Sequence, residues 1–237
     1  MRALLRTLVG GAWLSLLAGT NAVAAEPAAA MPKAHEVILA TRDALLSVIE
    51  DGKGYFDEDP ERFYRAVRDV LDPVVDFDSF SRGVMAVHYR KASPEQRARF
   101  RDTFKDALVR TYGKALLNYG DEKIDVLPST KPSRKPDQDS VTMEVWSEGK
   151  VYPVTYSMHR DADGHWRMAN IIINGINIGL TYRNQFASAM KDPQNRGDMD
   201  LVISDWGTTI ADVDPMAEDG KKKDDAQAAS GGAASGS

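Results

Sequence analysis

The sequence contains no cysteine among its 237 residues. This absence excludes disulfide bonds, thiol nucleophiles and thiolate metal sites, so a folded domain must rely on its buried core. Only four histidines are present, and no two have the i, i+4 spacing that places two metal ligands on one helix face. No serine lies in a Gly-x-Ser-x-Gly motif, and no glycine-rich loop follows a predicted strand. The residues alone therefore show no evident active site.

Long hydrophobic runs are also scarce, and the clearest one lies near the N-terminus. Residues 1–25 begin with Arg2 and Arg6, continue with an apolar stretch over 8–18 and end in small residues. This layout is typical of a secretory signal peptide, since a membrane span needs about 20 apolar residues. We therefore expect an exported, soluble mature protein, with an uncleaved N-terminal anchor as the alternative.

Basic residues are outnumbered, with 30 Lys and Arg against 35 Asp and Glu, for a formal net charge of −5. This balance argues against nucleic acid as a partner and against simple electrostatic adhesion to anionic lipid. Residues 214–237 are charged and then rich in Ala, Gly and Ser, which predicts a disordered tail. The stretch 26–213 is then expected to form a single domain of ordinary size.

The first half of this domain has helical periodicity. Helices are predicted over 33–51, 60–75, 76–90 and 93–119. The last has the strongest signal, because Ser93 and Gln96 have the spacing of a capping box. Phe104, Leu108 and Tyr112 then continue an apolar stripe with a period of four residues.

After Gly120 the apolar period changes to two. Strands are predicted within 122–128, 139–147, 150–160 and 164–173, followed by helices near 176–191 and 198–212. Short connections between the strands imply an antiparallel meander. The fold class is therefore α+β, with N-terminal helices packed on a curved four-stranded antiparallel meander and two C-terminal helices.

A few titratable residues allow weaker hypotheses. Asp76 and Asp78 could orient His88 as a general base, but capping of a helix that begins near Asp78 is the simpler interpretation. His159 and His165 flank a predicted turn and could share a metal ion, although two solvated residues at strand ends would have the same pattern.

Two segments, 88–120 and 153–186, carry a resemblance to a known family. They contain a Ser-Pro-Glu-Gln helix start, a Thr-Tyr-Gly run, a tryptophan-led strand, an Ile-Asn-Gly-Ile-Asn turn and a Tyr-Arg-x-Gln-Phe motif. In this combination the sequence resembles the MlaC/toluene-tolerance family of periplasmic phospholipid carriers. Asn170 is a departure, because an aspartate is expected there in many members.

The resemblance implies an NTF2-like cone with a deep apolar pocket for acyl chains and a headgroup left near solvent. It implies a monomeric periplasmic carrier of diacyl phospholipid that requires no cofactor and maintains outer-membrane lipid asymmetry. Its implied partners are an inner-membrane ABC transporter complex with a substrate-binding ring and an outer-membrane lipoprotein–porin complex.

With this function, the expected acyl-chain contacts lie on the inward faces of helices and strands. They are Met85, Phe104, Leu108, Tyr112, Met143, Val145, Tyr152, Val154, Tyr156, Met158, Met168, Ile171 and Ile173. Residues 169–173 are apolar at almost every position, so we expect one face of this strand to line the cavity and the other to pack on helices. Arg90 and Arg183 are candidates for headgroup contacts at the rim. No Arg or Lys occupies the chosen inward positions, which predicts little headgroup preference.

Two other functions remain open. An exported NTF2-like enzyme would need an acid–base pair inside the cone, where Tyr152 and Tyr156 are the titratable residues that we find. An interaction module would have the same apolar stripes but a filled core. Periodicity does not distinguish a filled cone from a hollow one. The presence or absence of a cavity in the three-dimensional structure is therefore needed to separate the interaction module from the carrier.

Overall fold

The computed structural model describes residues 33–120, 122–128, 133, 135–147 and 149–211. The predicted signal peptide (1–25) and tail (214–237) lie outside the described residues. None of the helices in the described part of the chain combines the length and apolarity that a membrane span requires.

Helices occupy the first half of the described chain, as predicted. They are α1 (Ala34–Lys53), α2 (Pro60–Leu71), α3 (Phe77–Met85) and α4 (Pro94–Leu116). Helix α1 continues through Gly52, so the break that we expected there was wrong. A Cβ at this position would lie 2.4 Å from the Phe63 ring. Glycine at this position therefore allows α1 and α2 to approach closely.

Helix capping fixes the starts of α3 and α4. The Ser93 N–H donates to Gln96 Oε1 at 2.9 Å, and the Gln96 N–H donates to Ser93 Oγ at 3.2 Å, which confirms the capping box. Helix α3 begins earlier than the start predicted near Asp78, because Asp76 is its cap and accepts the Ser79 N–H at 2.8 Å. Asp78 instead forms an ion pair with Arg101.

The second half forms an antiparallel meander, which confirms the α+β class. Its strands, in spatial and chain order, are β1 (Lys123–Val126), β2 (Gln138–Ser147), β3 (Lys150–Arg160), β4 (Trp166–Ile173) and β5 (Ile176–Asn177). The fifth strand was not predicted. Asn174 and Gly175 have φ of 50° and 85°, the positive values that a two-residue hairpin turn requires. Helix α5 (Ile178–Lys191) therefore begins two residues later than expected, and α6 (Met199–Ala211) follows.

A β-bulge explains why β4 becomes continuously apolar. Met158 of β3 pairs with Met168, whereas the preceding Ser157 pairs with Asn170, so that Ala169 is an extra residue in β4. The extra residue changes which side chains share a face, from 166 and 168 to 171 and 173. The bulge thus shifts by one residue the positions of β4 that face the cavity. Ile171 and Ile173 line it, as expected for one face of this strand, whereas the packing of the other face on helices stays a prediction.

The described core has two hydrophobic clusters. The larger one joins the sheet to α3–α6 and includes Phe100, Phe104, Phe186 and Trp206, each 0% exposed. The smaller one is centred on Phe63, Tyr64, Val67 and Val109, where α2 packs against α1 and α4. Residues of both clusters border the same cavity.

Candidate functional site

A cavity of about 370 Å³ lies between the helices and one face of the sheet. It is neither fully enclosed nor a shallow surface groove. Its volume is in the range of small-molecule binding sites. The cavity favours the hollow form of the fold over the filled one.

The register of the meander forms one wall of this cavity. Ile124 pairs with Val145, and Met143 pairs with Val154, so these four side chains share one face of the sheet. The pairings Val154–Ile173 and Tyr156–Ile171 continue that face into β4 beyond the bulge. The bulge thus brings the end of β4 into the cavity wall together with Met168.

Helices form the opposite wall, and most of it was not selected from the sequence. The lining residues outside the sheet that we did not predict are Ile38, Thr41, Arg42, Leu45, Leu46, Ile49, Val67, Leu71, Val75, Phe77, Phe80, Val109, Gly113, Leu116, Tyr119 and Ile178. The apolar stripe of α1 was visible as helical periodicity. Periodicity identifies a buried face, however, and does not distinguish a cavity wall from packed core.

Most of the predicted contact residues do line the cavity. They are Leu108, Tyr112, Met143, Val145, Val154, Tyr156, Met168, Ile171 and Ile173. Met85, Phe104 and Met158 are instead buried in the larger cluster, with exposures of 0%, 0% and 3%. Tyr152 is half-buried opposite Val145 and is not a lining residue. The acyl-chain role of these side chains remains a prediction.

The charged residue at the cavity differs from those that we selected for the rim. Arg90 and Arg183 are both exposed, and neither lines the cavity. Arg42, on α1, does line it. The expectation that no Arg or Lys faces inward is therefore corrected, because α1 was not recognised as part of the wall.

Hydroxyl groups in the wall have partners within the protein. Thr41 Oγ1 donates to the Val37 carbonyl at 2.7 Å, and the Tyr112 and Tyr182 hydroxyl oxygens are 3.1 Å apart. The Tyr156 hydroxyl donates to Met143 Sδ at 3.6 Å, and burial raises the pKa of Tyr156. The wall thus presents neutral, partnered hydroxyls within an apolar surface, which suits hydrocarbon chains.

The suggested acid–base arrangement, in which Asp76 and Asp78 would orient His88, does not form. Asp76 Oδ2 lies 3.0 Å from Nε2 of His159, whereas the His88 ring packs against Phe186 with centroids 5.8 Å apart. Burial alone would raise the pKa of Asp76, but hydrogen bonds from Ser79 outweigh it and hold the pKa below its ordinary value. Neither Asp76 nor His88 lines the cavity.

The suggested histidine pair also does not form. His159 lies opposite Arg167 in the β3–β4 register, and His165 lies near Asp161, with Nδ1 to Oδ1 at 3.6 Å. In the described chain, the group with the spacing of a metal site combines His165 with Asp161 and Asp163, without His159. It lies at the surface away from the cavity wall.

The fold and the cavity together define a class, an α+β protein that holds an apolar cavity of ligand size between its helices and an antiparallel sheet. The profile of the MlaC protein family matches residues 40–208 of the sequence. The chain therefore belongs to the MlaC family, and the resemblance found in the sequence is confirmed.

Individual relatives agree with this family. The chain is 39% identical over 191 residues to toluene tolerance protein ttg2D of Pseudomonas putida, an alignment that covers 80% of this chain and 86% of the relative. It is 26% identical over 139 residues to the intermembrane phospholipid transport system binding protein MlaC of Haemophilus influenzae, covering 57% and 64%.

A solved structure has the same fold. The phospholipid-binding protein from Ralstonia solanacearum, determined in complex with a phospholipid, matches with a TM-score of 0.65 at 24% identity. The match covers 76% of this chain and 99% of that one. At this identity the likeness establishes the shared architecture.

Proposed function

We propose that this protein carries diacyl phospholipid, with the acyl chains in the apolar cavity and the headgroup at its mouth. The observation that carries the proposal is the cavity of about 370 Å³ between the two hydrophobic clusters, bounded by the sheet. The lining includes the methionines Met143 and Met168. Methionine is unbranched and flexible, so its side chain adapts to ligands of irregular shape.

The size and polarity of the cavity suit hydrocarbon. In the liquid one water molecule occupies about 30 Å³, so a volume of about 370 Å³ has room for about 12 groups of that size. A methylene group is similar in size, so the cavity as it stands matches most of one chain of about 14 carbons. Each buried CH₂ contributes roughly 0.8 kcal/mol, or about 11 kcal/mol for one such chain.

Membership of the family and the layout of the sequence support a wider transport role. A cargo that is this insoluble needs a soluble carrier to cross the space between two membranes. In this role the domain over 26–213 acts as a periplasmic monomer after loss of residues 1–25. It exchanges lipid with an inner-membrane ABC transporter complex and an outer-membrane lipoprotein–porin complex, and it needs no cofactor. The Haemophilus influenzae relative is named as an intermembrane phospholipid transport system binding protein, which supports this route.

Native mass spectrometry tests the cargo directly. Gently purified protein should show adducts with the masses of diacyl phospholipids, and solvent extraction should release the same lipids. Protein stripped of lipid should regain the adducts after incubation with phosphatidylglycerol vesicles. A bare chain mass both before and after that incubation would contradict the proposal.

A further inference from the structure

Arg42 is the only charged residue among the described residues that line the cavity. Its guanidinium makes three hydrogen bonds. Nη1 donates to the Ile124 carbonyl of β1 at 3.3 Å, while Nε and Nη2 donate to Asp43 Oδ1 at 2.9 and 2.7 Å. Arg42 thus connects α1 to the edge strand of the sheet beside an otherwise uncharged wall.

The Arg42 side chain both lines the cavity and is partly exposed to solvent. The side chain is 22% exposed, and its partner Asp43 is 62% exposed, so the ion pair is at the boundary with solvent. A long side chain of this kind places its methylene groups on apolar surface and its charged end toward water. A diacyl phospholipid has the same division, with the phosphate at the end of two apolar chains.

We infer that Arg42 binds the phosphate of the lipid whose acyl chains occupy the cavity, an inference that rests on the proposed function. A guanidinium has five N–H donors, and the three hydrogen bonds leave two for a further acceptor. Its planar fork matches two phosphate oxygens. Asp43 accepts from two of the other donors, but an ion pair with so exposed a partner contributes little, so a phosphate can also take its place.

The phosphate group is common to phospholipids with different headgroups. Recognition by Arg42 therefore separates phospholipids from lipids that lack phosphate, while leaving little preference among phospholipid headgroups. Diacylglycerol can have the same acyl chains without the phosphate, so it is the lipid against which phospholipid binding is compared.

The experiment is a competition between phosphatidylglycerol and diacylglycerol of identical chains for lipid-free protein, with bound lipids quantified by mass spectrometry. Wild-type protein should prefer phosphatidylglycerol, and Arg42→Gln should reduce that preference about tenfold, because a charge-assisted hydrogen bond is lost. Asp43→Asn should keep or increase the preference, because it removes the competing carboxylate. Arg65→Gln, which changes an exposed arginine of α2 outside the cavity wall, is the matched control and should match wild type.

Diacylglycerol uptake separates this inference from the proposed function. If Arg42→Gln takes up diacylglycerol as wild type does, its cavity is intact, and an unchanged lipid preference would overturn the role of Arg42 alone. If wild type takes up neither lipid, both the inference and the proposed function fail. Inorganic phosphate alone, without lipid, separates the two sources of this group. Isothermal titration of lipid-free wild type with inorganic phosphate should show no binding that Arg42→Gln loses, because free phosphate has no acyl chains to hold it in the cavity. If wild type binds inorganic phosphate as tightly as phosphatidylglycerol and Arg42→Gln does not, the site is one for free phosphate, and the assignment to a lipid headgroup is overturned.

Discussion

Placing an aspartate in the cavity wall should abolish lipid binding before it abolishes folding. Val154 lines the cavity and is 6% exposed, whereas Val141 is 2% exposed within the larger hydrophobic cluster and is not a lining residue. Both are valines on the same face of the sheet, because Val141 and Val154 pair with Tyr156 and Met143 respectively. Val154→Asp and Val141→Asp therefore form a matched pair that differs mainly in access to the cavity.

The expected magnitudes differ because water can reach only one of the two sites. An uncompensated charge in packed core costs about 3–5 kcal/mol, and 1 kcal/mol shifts Tm by about 2–4 °C in a domain of this size. Val141→Asp should thus lower Tm by about 6–20 °C. Water in the cavity can solvate the carboxylate of Val154→Asp, leaving a loss of about 1–2 kcal/mol and a Tm decrease of about 2–8 °C.

For lipid binding the two variants should rank in the opposite order, with Val154→Asp the more damaging. In Val154→Asp an acyl chain would meet the carboxylate and exclude its water, so the cost of the charge rises from about 1–2 to about 3–5 kcal/mol on binding. The difference of about 2–3 kcal/mol should lower affinity about 30- to 160-fold. Val141→Asp protein that remains folded should still take up lipid. The assay measures Tm by circular dichroism on lipid-free samples, since bound lipid itself stabilises the fold, and lipid uptake by native mass spectrometry.

Two results would refute this reasoning. If both variants lose stability equally, Val154 lies in packed core and the cavity is not accessible to water. If Val154→Asp binds phospholipid as tightly as wild type, the acyl chains do not pass this part of the wall.

Two further predictions concern the frame around the cavity. Gly179→Ala should destabilise the protein by about 1–3 kcal/mol in urea unfolding, because its Cβ would lie 2.5 Å from Asn170 Oδ1, the oxygen that accepts the Gly179 N–H at 3.0 Å; an unchanged urea midpoint would contradict this contact. Asp76, whose pKa lies below its ordinary value of 3.8, should contribute stability that is present above that pH and lost as pH falls through the lower folded-state value. Urea unfolding at stepped pH should show a weaker acid dependence in Asp76→Asn, and an identical pH profile would rule out the contribution of this carboxylate.

Local sequence signals predicted the secondary structure well, because the responsible interactions are themselves local. The capping pair Ser93 and Gln96 lies within one helical turn, and the alternation of β2 and β3 follows directly from the pleat of a strand. The start of α3 was misplaced because Asp76 and Asp78 are both good caps. The structure selects Asp76, whose side chain also reaches His159 of β3.

Features that depend on distant partners were not accessible from the sequence. The bulge at Ala169 is defined by the pairing of β4 with β3, so the isoleucines that follow it looked like a strand with two dry faces. Arg42 belongs to a helix that was predicted, but its role depends on the Ile124 carbonyl, 82 positions away. Exposed helical arginines have the same local pattern, and only the tertiary structure distinguishes them.

The cavity itself has a cost in stability, and the fold has to keep it open. An unfilled apolar cavity costs roughly 24 cal/mol per Å³, which for 370 Å³ is on the order of 9 kcal/mol, comparable to the whole stability of an ordinary domain. Collapse of the walls would remove this cost, so the fold must hold them apart. Backbone hydrogen bonds fix the sheet on one side, and the cluster around Phe63 holds α1, α2 and α4 together on the other. Acyl chains that fill the space then offset the cost, which links the stability of the protein to its cargo.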